Sequence, residues 1–164
     1  MKYFHDYLDR GKPLIALRTS SHAFDTRGKH PDGHVEWRKF DPQVLGGNYN
    51  GHYGSGPKCT VTVAEGAKGH LVLSGIRVPF TSVSSLYKAS PLTKSTRMLL
   101  IGTIPGEEPE PVAWTNLHRK SRVFYTSLGH VDDFKNPQFR RLLINAVFWA
   151  MDKPLPKIKA TIKR

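Results

Sequence analysis

The stretch that most constrains this chain runs from Phe124 to Phe134, Phe-Tyr-Thr-Ser-Leu-Gly-His-Val-Asp-Asp-Phe. An apolar run leads into a turn at Gly129-His130 with two acids behind it, and a long helical pattern follows. Asn136 can cap that helix, and Pro137 suits its first turn because its φ is preset and it has no amide to lose. Phe139, Leu142, Leu143, Ala146, Val147 and Ala150 then recur at the helical period of a core-facing stripe. Buried strand, sharp turn and amphipathic helix make an α/β class. Open sheets of that class place ligands at the turns leaving the carboxyl ends of their strands. His130, on such a turn, is a candidate for chemistry.

The first residues repeat this logic. Residues 1–10 predict an uncapped helix with Tyr3, Phe4, Tyr7 and Leu8 on one side, stopped by Gly11. Lys12 to Leu17 is a short apolar run of the kind buried on both faces of a parallel sheet. Directly behind it stand Arg18, Thr19, Ser20, Ser21 and His22. In a parallel sheet this is a second carboxyl-end loop, which brings His22 and His130 to one crevice. The hydroxyls have no local activating base, and turn hydrogen bonding is their commoner role.

The middle of the chain is less regular. Residues 25–39 form a polar excursion, and Asp41-Pro42 starts a short helix over 40–45. Gly46 to Pro57 interleaves glycines with Tyr49, His52 and Tyr53, aromatic and imidazole groups that suit a sugar-like ligand; a merely tight connection accounts for them equally well. It lacks the Gly-Lys-Ser/Thr ending of a phosphate loop. Strands are expected at 58–63, 98–103, 112–115 and 122–126, with an acidic loop at 106–110 and a turn over 116–121. Residues 69–76 are a short apolar segment, and 82–88 follow no clear pattern. Cys59 belongs to a strand pattern and reads as a small structural thiol.

A chain of 164 residues supports one domain, here 1–154, followed by a basic tail over 155–164. The single cysteine excludes an internal disulfide framework and any multi-cysteine zinc site. No apolar run approaches the roughly 20 residues of a membrane helix. The start carries no export signal, which places the chain as written in the cytoplasm unless the natural N-terminus is longer. A net charge of +12 raises nucleic acid or another anion as a partner. The basic residues are scattered and no recognition motif accompanies them, so a solvated basic surface is the simpler reading.

Several separate motifs, in order, resemble the trehalose-utilisation (ThuA-like) family. They are Gly11 to Phe24, Val44 to Tyr49 with Gly51 to Gly54, Pro111 to Thr115, Arg122 to His130, and Phe139 to Ala150. The resemblance implies a class I glutamine amidotransferase-like, flavodoxin-like three-layer α/β/α fold, shortened at its N-terminus by the first β/α units. It further implies a role in carbohydrate metabolism, on disaccharides or keto-sugars, with sugar dehydrogenases as possible partners.

True amidotransferases carry a cysteine on the elbow after the central strand. Arg18 and Thr19 occupy that place here, so thiol-dependent glutamine hydrolysis is not expected. His130-Val131-Asp132 resembles the distant His-x-Glu, with Asp132 placed to orient the imidazole.

The resulting expectation is a saccharide pocket with His130, Asp132 and His22 as acid-base residues. Arg18, Thr19, Ser20, Tyr49, His52 and Tyr53 would contact the sugar. No cofactor is expected. A divalent metal among His22, His52 and His130 is a secondary reading, because their spacing matches no metal motif. A non-catalytic sugar-binding or scaffolding domain is the alternative, and nucleic-acid binding a minor one.

Overall fold

A computed structural model describes residues 1–54 and 56–157. The basic-tail assignment therefore falls mostly outside the described residues. Among the described residues the fold is mixed α/β: a six-stranded sheet with two α-helices and several single helical turns. The helices are α1 (Lys2–Asp9) and α2 (Pro137–Ala150). The strands are β1 (Leu14–Leu17), β2 (Cys59–Val63), β3 (Phe80–Ser82), β4 (Arg97–Thr103), β5 (Glu110–His118) and β6 (Ser121–Thr126).

The sheet order is β1-β6-β5-β4-β2-β3. Only β1 and β6 pair in parallel, in the register Leu14↔Val123 to Leu17↔Thr126; the other four pairings are antiparallel. This corrects the expectation of a parallel sheet. The reason lies in the connections. β5 and β6 are joined by the two residues Arg119 and Lys120, and only an antiparallel pair can be closed so tightly. That turn needs a left-handed residue, supplied by Arg119 at φ 54°. β5 thus runs on through Asn116 and His118, where the sequence predicted a turn.

Alternation along β6 divides the core. Phe124 packs on the α2 side with Leu99, Leu128, Phe139 and Leu142. Val123 and Tyr125 point the other way, to Leu8 of α1, Phe40, Val44, Leu45 and Trp114. Burying each of these large side chains contributes roughly 1.5–3 kcal/mol. α1 does not present its aromatic residues on one side: Phe4 and Leu8 face the core, while Tyr3 and Tyr7 are exposed. In α2 the buried stripe takes Asn145 in place of Val147, which is exposed. Asn136 caps the helix, its Oδ1 accepting the amide of Gln138 at 2.9 Å.

Candidate functional site

The loops after β1 and β6 leave the same end of the parallel pair, and Arg18 joins them. Its Nη1 donates to the Ser127 carbonyl at 2.9 Å and to the Ser85 carbonyl at 3.3 Å, and its guanidinium lies 4.4 Å from the centre of the Tyr87 ring. Arg18 itself turns the chain at φ 49°, so β1 ends in a sharp elbow. The Tyr125 hydroxyl donates to its carbonyl at 2.9 Å. Ser20 closes the elbow onto Leu17: its hydroxyl donates to the Leu17 carbonyl and accepts the Leu17 amide. Arg18 and Ser20 therefore hold the elbow together, and Thr19 is exposed. None of the three lines the cleft described next.

That cleft opens one turn further on. It has a volume of about 260 Å³; its walls carry His22, Trp37, Asn48, Tyr49 and Asn50 together with the charged Asp25, Arg38 and Asp41. Its organiser is Asp41, 6% exposed, on a helical turn, Asp41–Leu45. Both Asp41 oxygens accept the backbone amide of His22, at 2.9 and 3.0 Å, and one accepts that of Tyr49 at 3.4 Å. Burial, opposed by these hydrogen bonds, holds the Asp41 carboxyl above the usual carboxylate range.

The Asp41–Leu45 turn is itself held by β5. Trp114 Nε1 donates to the Leu45 carbonyl at 2.8 Å, Asn116 Nδ2 to Val44 at 2.9 Å, and His118 Nδ1 to Gln43 at 2.7 Å. Alternate residues of one strand thus satisfy successive carbonyls of a helix end. Such close docking leaves no room for a side chain on Gly47, whose Cβ would stand 2.7 Å from the Trp114 ring.

His22 lies over Tyr49, the rings tilted by 30° with centres 4.2 Å apart, and Tyr49 meets Tyr87 edge-on at 4.7 Å. Tyr87 is brought there by a short antiparallel pairing of the Gly-rich loop with residues 86–88, made by Asn50, Gly51 and Tyr53. Burial lowers the His22 pKa; Asp41 opposes this, Arg27 adds to it, and Asp25 opposes it. His22 is consequently a neutral imidazole at pH 7. Trp37 packs with Phe4, His5, Phe24 and Phe40, so α1 backs the cleft.

The remaining expected residues lie elsewhere. His52 is exposed, donates from Nδ1 to the Tyr53 carbonyl at 2.8 Å, and stacks on Tyr87. Tyr53 carries the Lys88 ammonium 4.2 Å above its ring. His130 is exposed and caps the turn that follows it, Val131–Lys135, by accepting the Asp132 amide on Nδ1 at 3.2 Å. A nitrogen that accepts a hydrogen bond carries no proton to offer a carboxylate. Asp132 Oδ2 stands 3.6 Å from that same Nδ1, while its Oδ1 pairs with Lys135 at 2.6 Å. The pair lacks the hydrogen bond by which an acid orients a catalytic imidazole. The acid that organises this turn is Asp133. It is buried, and it accepts from the Ser82 and Ser84 hydroxyls and from the amides of Gly129 and His130.

His22, His52 and His130 do not meet in one cavity, and among the described residues no three His, Cys, Asp or Glu side chains are disposed to hold a metal ion. Cys59 is buried in the core, and burial pushes its thiol up to about 11. Sequence reasoning missed Asp41 and Trp37 as site residues. An Asp-Pro pair at a helix start and a lone tryptophan in a polar excursion were the available signals.

A family model described as trehalose utilisation matches residues 1–150. Among solved structures, a ThuA-like protein from Parabacteroides merdae ATCC 43184 is similar over 96% of this chain and 67% of its own, with TM-score 0.67 and 18% identity. A β-galactosidase from Rahnella sp. R3 is similar over 91% of this chain and 20% of its own, with TM-score 0.59 and 16% identity. At these identities the likeness is one of fold. No curated protein matches the sequence significantly. Among the described residues no helix is long and apolar enough to cross a membrane.

Proposed function

The chain belongs to the trehalose-utilisation family, and we propose that it handles a sugar in the cleft between the β1 elbow and the Gly-rich loop. The observation that carries this reading is the composition of that cleft. Aromatic rings from two segments, Tyr49 and Trp37, line it together with amide and imidazole groups at Asn48, Asn50 and His22, and the buried Asp41 holds the His22 and Tyr49 amides. A ring with hydroxyls on its edge and C–H groups on its faces matches such walls. The volume of about 260 Å³ lies just under the roughly 300–1,000 Å³ of sites for drug-sized ligands, which favours one sugar ring in the cleft over a whole disaccharide. If the cleft catalyses, His22 is the acid-base group. It is neutral and next to the ligand space, whereas His130 lies outside that cleft with its Nδ1 capping a turn.

A second reading is favoured by the elbow. No cysteine stands on the elbow, where Arg18 and Thr19 follow β1 and the Arg18 guanidinium is committed to Ser127, Ser85 and Tyr87. The one cysteine is buried on β2. Both speak against a thiol-dependent amidotransferase and for binding without turnover. In either case we read the parallel β1–β6 pair, with α1 and α2 on opposite faces, as the flavodoxin-like part of the fold.

The test is a thermal melt against trehalose, glucose and a keto-sugar. A ligand that binds only the folded chain raises Tm by mass action. A saturable rise with one sugar, abolished in Trp37→Ala, supports the reading. No rise at any concentration overturns it. Product analysis in the same samples separates turnover from binding.

A further inference from the structure

A second groove, of about 570 Å³, lies on the α2 side of the sheet, away from the aromatic cleft. Its polar wall is cationic: Arg77, Arg140 and Arg141, with Gln138 between them on the first turn of α2 and Ile76 and Ile144 as an apolar floor. Among the described residues no acidic side chain lines it.

Two of the arginines, Arg140 and Arg141, are fixed by backbone carbonyls rather than by opposite charge. Arg140 Nη1 donates to the Phe134 carbonyl at 3.1 Å and to that of Lys135 at 3.4 Å. Arg141 donates to the carbonyls of Ser74, at 3.4 Å, and Pro156, at 3.0 Å. The Arg77 amide is held by Gln138 Oε1 at 2.7 Å. A guanidinium has five N–H donors, so these bonds position Arg140 and Arg141 and still leave donors for a ligand. Arg38, Arg119 and Arg122 each pair with a carboxylate, but among the described residues none of the three groove arginines does.

Three uncompensated positive charges around one groove repel each other, and an anion relieves that repulsion. Guanidinium forks match phosphoryl oxygens in spacing and direction. The positive end of α2, whose first residues line the groove, adds to the attraction for negative charge. Ile76 and Ile144 offer contact to an organic portion. We propose that this groove binds a phosphomonoester, its phosphoryl group among Arg77, Arg140 and Arg141 and its organic part on the isoleucines. The net charge of +12, which the sequence alone assigns to a solvated surface, has here a specific use.

Calorimetric titration of the whole chain with inorganic phosphate and with glucose 6-phosphate tests this. Glucose 6-phosphate should bind saturably at one site. Its affinity should fall at least tenfold in Arg77→Gln/Arg140→Gln, whose replaced side chains are exposed and whose melt should match the parent. Removing two charges at the ends of α1, as Lys2→Gln/Arg10→Gln, should leave the affinity unchanged. The proposal is overturned by the absence of saturable binding, by equal losses in the two double variants, or by chloride competing as well as phosphate. Tighter binding of a single-stranded oligonucleotide through the same arginines would assign the groove to nucleic acid and overturn it equally.

Discussion

Asp41 accepts the backbone amide of His22 on both carboxylate oxygens, at 2.9 and 3.0 Å. His22 sits at φ 53°, a left-handed conformation uncommon outside glycine, though histidine enters it more readily than most residues. Asp41 is in turn held by β5, whose Trp114, Asn116 and His118 grip the carbonyls of the Asp41–Leu45 turn. The strand therefore sets where the imidazole lies.

Asp41→Ala should cost about 1–3 kcal/mol of stability, since the His22 and Tyr49 amides lose a charged acceptor. Urea denaturation measures the loss. The same variant should lose any sugar-induced rise in Tm, because both loops then move.

The acid limb of stability carries the signature of His22. Its folded pKa lies below the ordinary 6.5, so the unfolded chain takes up the proton more readily. Its contribution is complete above that ordinary value and is lost as pH falls toward the lowered one. His70 acts with the same sign, through burial and then Arg97. Asp41 acts oppositely and lower down: stability falls as pH rises from the ordinary carboxylate value to its raised one. His22→Asn, which tolerates the left-handed backbone, should flatten the decline below pH 6.5 in denaturation series. An unchanged slope would count against this assignment.

The adjacent acids after β6 should behave very differently. Asp133→Ala removes the acceptor of two hydroxyls and at least two amides and should cost about 3 kcal/mol. Asp132→Ala, an exposed partner of Lys135, should leave the denaturation midpoint where it is.

Cys59 should resist thiol reagents. With its thiol pushed up to about 11, about one molecule in a thousand is ionised at pH 8, and the sulfur is buried besides. Labelling should be slow in the native protein and fast in denaturant.

The elements legible in the sequence were those with local signals. β1, β4 and β6 are continuous apolar runs, and α2 has a cap, a first-turn proline and a helical stripe. The mixed direction of the sheet was not legible, because strand pairing is decided by contacts distant in sequence and by a two-residue turn with no glycine. At the site, His22 and Tyr49 were found because they stand at a strand end and in a Gly-rich loop. Their convergence depends on Asp41, whose pattern reads as an ordinary helix start. His130-Val131-Asp132 looks like an acid-base pair in sequence. In the fold one backbone amide takes the Nδ1 that chemistry would need, and the neighbouring Asp133 is the buried acid.

The most direct test of a sugar in the Asp41 cleft is a backbone and indole NMR titration of the labelled chain with trehalose and with glucose. We predict saturable shifts at the Trp37 indole N–H and at the amides of His22, Asn48, Tyr49 and Asn50, with the α2 groove silent. No saturable shift with either sugar, or shifts confined to residues outside the cleft, would contradict it.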